Sequence, residues 1–273
     1  MTTPTDREYF LGTGSLELER LGLQHAAWRA DAALAWRQAE FRPGSVVLDV
    51  GCGPGFASLE LADVVRPNGK VLAIDQSDRF LAHLSEQCQA RGVTNITTLQ
   101  RDLTDFEFDD IRADGAWLRW VLAFLPDPER VLKHVAQALK PGASIAIHEY
   151  YAYETWRLVP SDVVFESFVA AVMGSWRAHG GEPNVGLRVA PWLERLGFRI
   201  VSTRTITELV TPSQHRWYWP ATFAHSGLER LVHLGDVAPG DAERMRESFR
   251  EMWAQGTRMV TPGVVEVIAT KLA

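Results

Sequence analysis

At 273 residues, 46% hydrophobic and 23% charged, the chain can hold one large domain or two small ones around a sizeable core. A net charge of −6 and the lack of any long run of like charges disfavour nucleic acid as a partner, since phosphate neutralisation calls for a basic stripe. No basic-then-apolar leader opens the sequence, no stretch approaches the ~20 apolar residues of a membrane span, and Cys52 and Cys88 are too few for a disulfide framework, so a cytoplasmic protein with no membrane partner is expected.

In chain order, residues 15–40 read as helical, with Leu16, Leu18, Leu21, Leu23, Trp28 and Trp36 supplying apolar faces. Residues 45–50 form an apolar, β-branched run ended by glycines, and a helix is expected over 57–65. A second strand covers 70–74, and Ser77 is a good N-cap for a helix through Ala90. Strands follow at 95–99 and 115–120, then a helix at 126–139 with its stop at Lys140-Pro141-Gly142, then a fifth strand at 144–149. Strands separated by helices of this length predict parallel β-α-β units in a doubly wound α/β sheet, with ligands at the carboxyl ends of the strands.

After Tyr151 that rhythm breaks. A helix is expected at 185–196 with Gly197 as its stop, a long strand at 198–210, and a last strand at 259–272 interrupted by Pro262-Gly263. Two aromatic-rich, mostly helical inserts lie between them. The expected organisation is an N-terminal helical lid (1–42), a nucleoside-binding core (43–150), a cap insert (151–184), a core continuation (185–210), a second cap insert (211–257) and a last core strand (258–273).

The chemistry-bearing residues begin with the loop DVGCGPG, from Asp49 through Gly51, Cys52 and Gly53 to Gly55. Glycines suit a sharp strand-to-helix turn because a side chain would block close approach of the backbone to a ligand. A dinucleotide loop, G-x-G-x-x-G/A, needs a small residue at 56, where Phe56 stands. Asp75, at the end of the second strand and twenty residues beyond Gly55, can accept both hydroxyls of a ribose, with Gln76 beside it. Asp102 and Leu103 follow the third strand, and Arg119 falls near the end of the fourth.

The G-x-G-x-G order, with Asp75, Asp102-Leu103 and the run from Asp114 to Asp127 at their spacings, resembles the class I S-adenosylmethionine-dependent methyltransferases. The resemblance implies a seven-stranded Rossmann-like sheet and S-adenosylmethionine as cofactor. Asp49, Gly51, Cys52, Gly53 and Gly55 would form the first cofactor contact, and Asp75 and Gln76 the ribose side. Asp102 would accept the adenine amine while Leu103 packs on the ring. Arg119 would lie at the methionine end, and Phe124 stands where the family often has histidine. Tyr9, Gly12, Glu19-Arg20-Leu21 and Gln24 resemble a pattern of one small-molecule branch in which this segment folds over the cofactor, making Tyr9 and Gln24 further cofactor candidates.

Methyl transfer is an in-line displacement in which alignment outweighs a general base: positioning is worth ~7–11 kcal/mol and one base about 3–5. A dry pocket favours an anionic acceptor, and Trp156, Trp176, Trp217, Trp219 and Trp253 in the inserts could line one around a small aromatic or apolar acceptor. His148, placed at the carboxyl end of the fifth strand, is the candidate base. No His/Asp/Glu cluster shows metal-ligand spacing, so no metal is expected. Two other readings stay open: a protein that binds the same cofactor without transferring its methyl group, and a nicotinamide oxidoreductase, against which Phe56 argues. Oligomeric state is open.

Overall fold

A computed structural model describes residues 15–105, 108 and 111–273. The centre is β1 (Val46–Val50), an apolar run that pairs in parallel with β2 (Lys70–Asp75) on one side and β4 (Ala113–Arg119) on the other. β3 (Ile96–Gln100) pairs outside β2, and β5 (Leu139–Ala152) outside β4. Beyond β5 lie β10 (Gly263–Lys271) and β7 (Phe198–Ile206), both pairings antiparallel, for a sheet order of β3-β2-β1-β4-β5-β10-β7. Parallel strands need crossovers, and helices α2 (Phe56–Val65), α3 (Asp78–Arg91) and α4 (Pro128–Ala138) supply them. Ser77 Oγ accepts from the Phe80 amide at 3.3 Å and caps α3, while Asp127 caps α4 in the same way. This is the α/β, Rossmann-like seven-stranded sheet expected.

Two long strands break where one was expected. The chain leaves the main sheet at Ile206, and Leu209–Val210 (β8) joins β6 (Arg157–Val159) and β9 (Arg258–Val260) in a separate three-stranded sheet of order β6-β9-β8. Pro262, which has no amide to donate, separates β9 from β10, and neighbouring Thr261 instead exchanges hydrogen bonds with Glu208. Helix α5 (Val163–Ala178) packs against β6, and α5, α7 (His215–Leu234) and α8 (Pro239–Ala254) pack on one another. Helix α6 (Gly186–Arg195) lies against β7, β10 and β5, and Gly197 follows it at φ +83°.

Helix α1 (Ser15–Gln38) lies along α7 and touches α2 and β10. Its inward face differs from the one expected from its leucines. Leu16 and Leu23 are exposed, while Glu17, Arg20, His25 and Trp28 are buried. Residues 17, 20, 24 and 28 share one helical stripe, and Glu17 and Arg20 can enter it because they neutralise each other, at 2.6 and 2.7 Å. Asp31 adds a charged clasp to Arg204 of β7 and Arg216 of α7. No helix among the described residues is long and apolar enough to cross a membrane.

Candidate active site

Asp49, next to last in β1, is almost fully buried, its Oδ2 accepting from Ser58 Oγ at 2.6 Å. Burial, only partly opposed by that hydrogen bond, pushes its carboxyl up to about 6. The chain then turns through Gly51, Gly53 and Gly55, all with positive φ. At Gly51 a Cβ would stand 2.5 Å from Val121 Cγ2, so the turn packs against the loop after β4. At Gly53 (φ +54°) a Cβ would meet nothing within 4 Å, because that backbone borders a cavity of about 690 Å³. This volume is in the range of small-molecule sites.

Asp75, at the end of β2, faces the loop. Its Oδ2 accepts the Gly53 amide at 2.8 Å and its Oδ1 the Ser77 amide at 2.9 Å. Each carboxylate oxygen keeps a further lone pair for a ligand hydroxyl. Burial raises its pKa despite these bonds. Gln76 is exposed on the rim of the cavity. After β3, Asp102 Oδ1 accepts from the Thr104 amide and hydroxyl at 2.9 and 2.7 Å, and Leu103 packs buried beside it on the wall. Cys52 is also on the wall, where burial and then the carboxylates of Asp49 and Asp75 push its thiol up, so it stays protonated.

Arg119, the last residue of β4, reaches the same cavity. Its Nη2 lies 2.9 Å from His25 Nδ1, and its guanidinium carbon 5.2 Å from the Trp120 ring centroid. Burial pulls its pKa down to about 10, which leaves it charged at neutral pH. Its Nη1 is buried with no hydrogen-bond partner among the described residues, as expected of a group that meets a ligand. Gln24, from α1, lines the cavity too, its Oε1 accepting from Arg20 Nη1 at 2.8 Å. Tyr9 lies outside the described residues.

The far end of the cavity is aromatic. Trp120 stacks on Tyr150 at 5.7 Å between centroids, and Phe124 meets Trp176 edge-on at 4.8 Å. Phe223 of α7 also lines the cavity, with the Arg20 guanidinium 5.7 Å over its ring. Trp120 has φ +52°, unusual for a bulky residue, and such strain is commonly held at functional sites. His179, at the end of α5, also borders this region, its Nδ1 2.8 Å from the Ser175 carbonyl. Of the insert aromatics, Trp156 and Trp217 are fully buried in the cap and Trp253 is exposed; Trp176 lines the cavity.

His148, the candidate base, is not on this wall. β5 runs on to Ala152 instead of ending at Glu149, so His148 sits inside the sheet and not at its edge. Its ring is wholly buried between Trp117 (4.9 Å) and Trp28 (5.6 Å), with Nε2 2.8 Å from Glu266 Oε2. His25 is not among the residues expected in the site, whereas Phe223 lies in an insert expected to supply aromatic lining and Tyr150 on the strand edge expected to face it. Arg20 belonged to the recognised N-terminal pattern without an assigned role, and His25 carried no signal beyond its place next to Gln24.

Residues 47–142 match the family model described as a methyltransferase domain. A demethylmenaquinone methyltransferase of Bacillus cytotoxicus is 32% identical over 122 residues, covering 45% of this chain and 50% of that protein. The chain thus spans about half the length of the curated relatives it matches. Among solved structures, coclaurine N-methyltransferase bound to N-methylheliamine and SAH aligns with a TM-score of 0.56 at 18% identity, over 89% of this chain and 72% of that one. The cyclase SpnF aligns with a TM-score of 0.57 at 19% identity, over 89% and 80%. Residues 47–142, the segment that holds Asp49, Asp75, Asp102 and Arg119, thus match a methyltransferase domain, and the solved structures share the fold.

Proposed function

We propose that this chain transfers the methyl group of S-adenosylmethionine to a small aromatic or apolar acceptor. One observation carries the reading: one cavity is lined both by the glycine loop, Asp75 and Asp102 and by the rings of Trp120, Tyr150, Trp176 and Phe223. A nucleoside cofactor fits the first group, where Gly53 leaves open space, Asp75 retains acceptor capacity and Arg119 Nη1 lacks a partner among the described residues. The relative that acts on demethylmenaquinone supports a ring-shaped acceptor, and the net charge of −6 supports a small molecule over nucleic acid.

When bound, the cofactor would supply an electrophilic methyl group on a sulfonium. Asp75 and Gln76 would hold the ribose, Asp102 and Leu103 the adenine, and Arg119 with Gln24 the amino-acid end. Asp49 would face this positive group from beneath the loop, its carboxyl near 6 in the free protein and lowered by a neighbouring cation. The aromatic end would exclude water and orient the acceptor in line with the methyl group, the ~7–11 kcal/mol contribution of alignment. On this reading residues 1–42 act as a lid, and segments 151–184 and 211–257 as a cap over the sheet edge.

The test is transfer of radiolabelled methyl groups from S-adenosylmethionine to a panel of phenols, quinols and amines. Labelled product formed by the wild type and lost in Asp75→Ala supports the reading. Tight binding of S-adenosylhomocysteine with no transfer to any acceptor class would point to a non-methylating use of the site.

A further inference from the structure

Helix α1 brings to the cofactor end of the cavity a histidine with a defined bonding role. His25 is buried, with its ring stacked on Phe56 at 5.9 Å and 28°. Its Nδ1 faces Arg119 Nη2 at 2.9 Å. A guanidinium can only donate, so Nδ1 must be the acceptor and the neutral ring carries its proton on Nε2. That side faces Glu60 Oε1 at 3.2 Å, and the same oxygen is 2.7 Å from Arg29 Nε. Burial, and secondarily the charge of Arg119, lower the imidazole pKa against the pull of Glu60, which keeps the ring in its accepting form.

The guanidinium is a rigid planar fork. With Nη2 tied to His25, the orientation of the whole group is set, and Nη1 is left buried without a partner among the described residues, on a side chain that lines the cavity. We propose that His25 is a positioning residue: by accepting from Arg119 Nη2 it aims Nη1 at the carboxylate of the cofactor's amino-acid end. The inference rests on the proposed use of S-adenosylmethionine. It makes recognition of that end a joint property of β4 and α1, while recognition of the nucleoside end is independent of His25.

Calorimetry with two ligands separates this from a merely structural role. S-adenosylhomocysteine carries the amino-acid end, and 5′-methylthioadenosine lacks it. In His25→Leu the affinity for S-adenosylhomocysteine should fall about tenfold or more, the scale of a hydrogen bond to a charged group, with methylthioadenosine unchanged within about twofold. His25→Gln, which keeps a polar group toward Glu60 but no acceptor at the Nδ1 position, should show the same selective loss. It serves as the reading if the leucine variant does not fold. His25→Asn, with its carbonyl oxygen near the place of Nδ1, should restore part of the preference. Equal weakening of both ligands, or an unchanged ratio in both loss variants, overturns the inference. A wild type that binds neither ligand overturns the cofactor reading itself and the inference with it, and this is seen before any substitution is made.

Discussion

Asp75 Oδ2 accepts the Gly53 amide at 2.8 Å, so the carboxylate proposed to hold the ribose also fixes the glycine loop opposite it. Its other oxygen takes the Ser77 amide at the entry to α3. Asp75→Ala removes the acceptor for both amides as well as for the ligand hydroxyls. The expected result is a loss of S-adenosylhomocysteine affinity of about 100-fold or more, read by calorimetry, from two or more charge-assisted hydrogen bonds. Unchanged affinity would refute the ribose assignment.

Gly53 has φ +54° and borders open cavity. In Gly53→Ala the left-handed backbone should cost about 1–2 kcal/mol of stability, lowering the melting temperature by a few degrees. The added methyl group would also enter the ligand's space. Cofactor affinity should therefore fall by more than the stability loss accounts for. Equal affinity in the folded variant would place the ligand away from this loop.

Glu149 is fully buried, its Oε1 accepting from the Val121 and Leu122 amides at 2.7 and 2.6 Å. Burial outweighs these bonds and raises its carboxyl to about 8. Between its ordinary 4.5 and 8 the folded state holds a proton that the unfolded state releases, so wild-type stability declines as pH rises through this window. Glu149→Gln keeps an oxygen for the two amides and removes the ionisation cost. Melting curves should show little difference at pH 4.5 and a growing advantage for the variant toward pH 8. Parallel curves across this range would rule the account out.

His148 and Glu266 form a buried pair, with Arg204 adding 3.1 and 3.0 Å bonds to Glu266. His148→Phe removes one donor to that carboxylate and should destabilise the protein by about 1.5–3 kcal/mol, the scale of a hydrogen bond to a charged group. Burial, only partly countered by Glu266, lowers the histidine pKa below 6.5. Its contribution is thus a stability present above pH 6.5 and lost as pH falls below it, where the unfolded state takes up the proton first. The variant should lose this acid-side slope while keeping cofactor affinity and turnover per folded molecule. A turnover defect with intact stability would return His148 to the chemistry.

Phe223 borders the cavity from α7 beneath the Arg20 guanidinium. Phe223→Leu should raise the acceptor KM severalfold, because ring contact is lost at the far end only. Affinity for S-adenosylhomocysteine should hold within about twofold. A reversed pattern would exchange the proposed cofactor and acceptor ends.

The legible part of this protein was local. The strand-turn-helix at Gly51–Gly53–Gly55, the cap at Ser77 and the ordered spacing of Asp75 and Asp102 are demands that a short stretch of backbone makes on its own residues. They predicted the sheet and placed these side chains at one set of strand ends. What only the tertiary structure decided depends on where distant segments meet. Three residues of unforeseen strand carried His148 into the sheet. A mutually neutralising Glu17–Arg20 pair turned α1 inward on a face its leucines did not mark. The same turn set His25 against Arg119, 94 residues away in the chain, while Phe223 and Trp176 joined Trp120 in the cavity lining from two separate inserts. Periodicity and spacing record the backbone's local needs. They do not record side-chain convergence, which depends on helix docking and charge pairing across the fold.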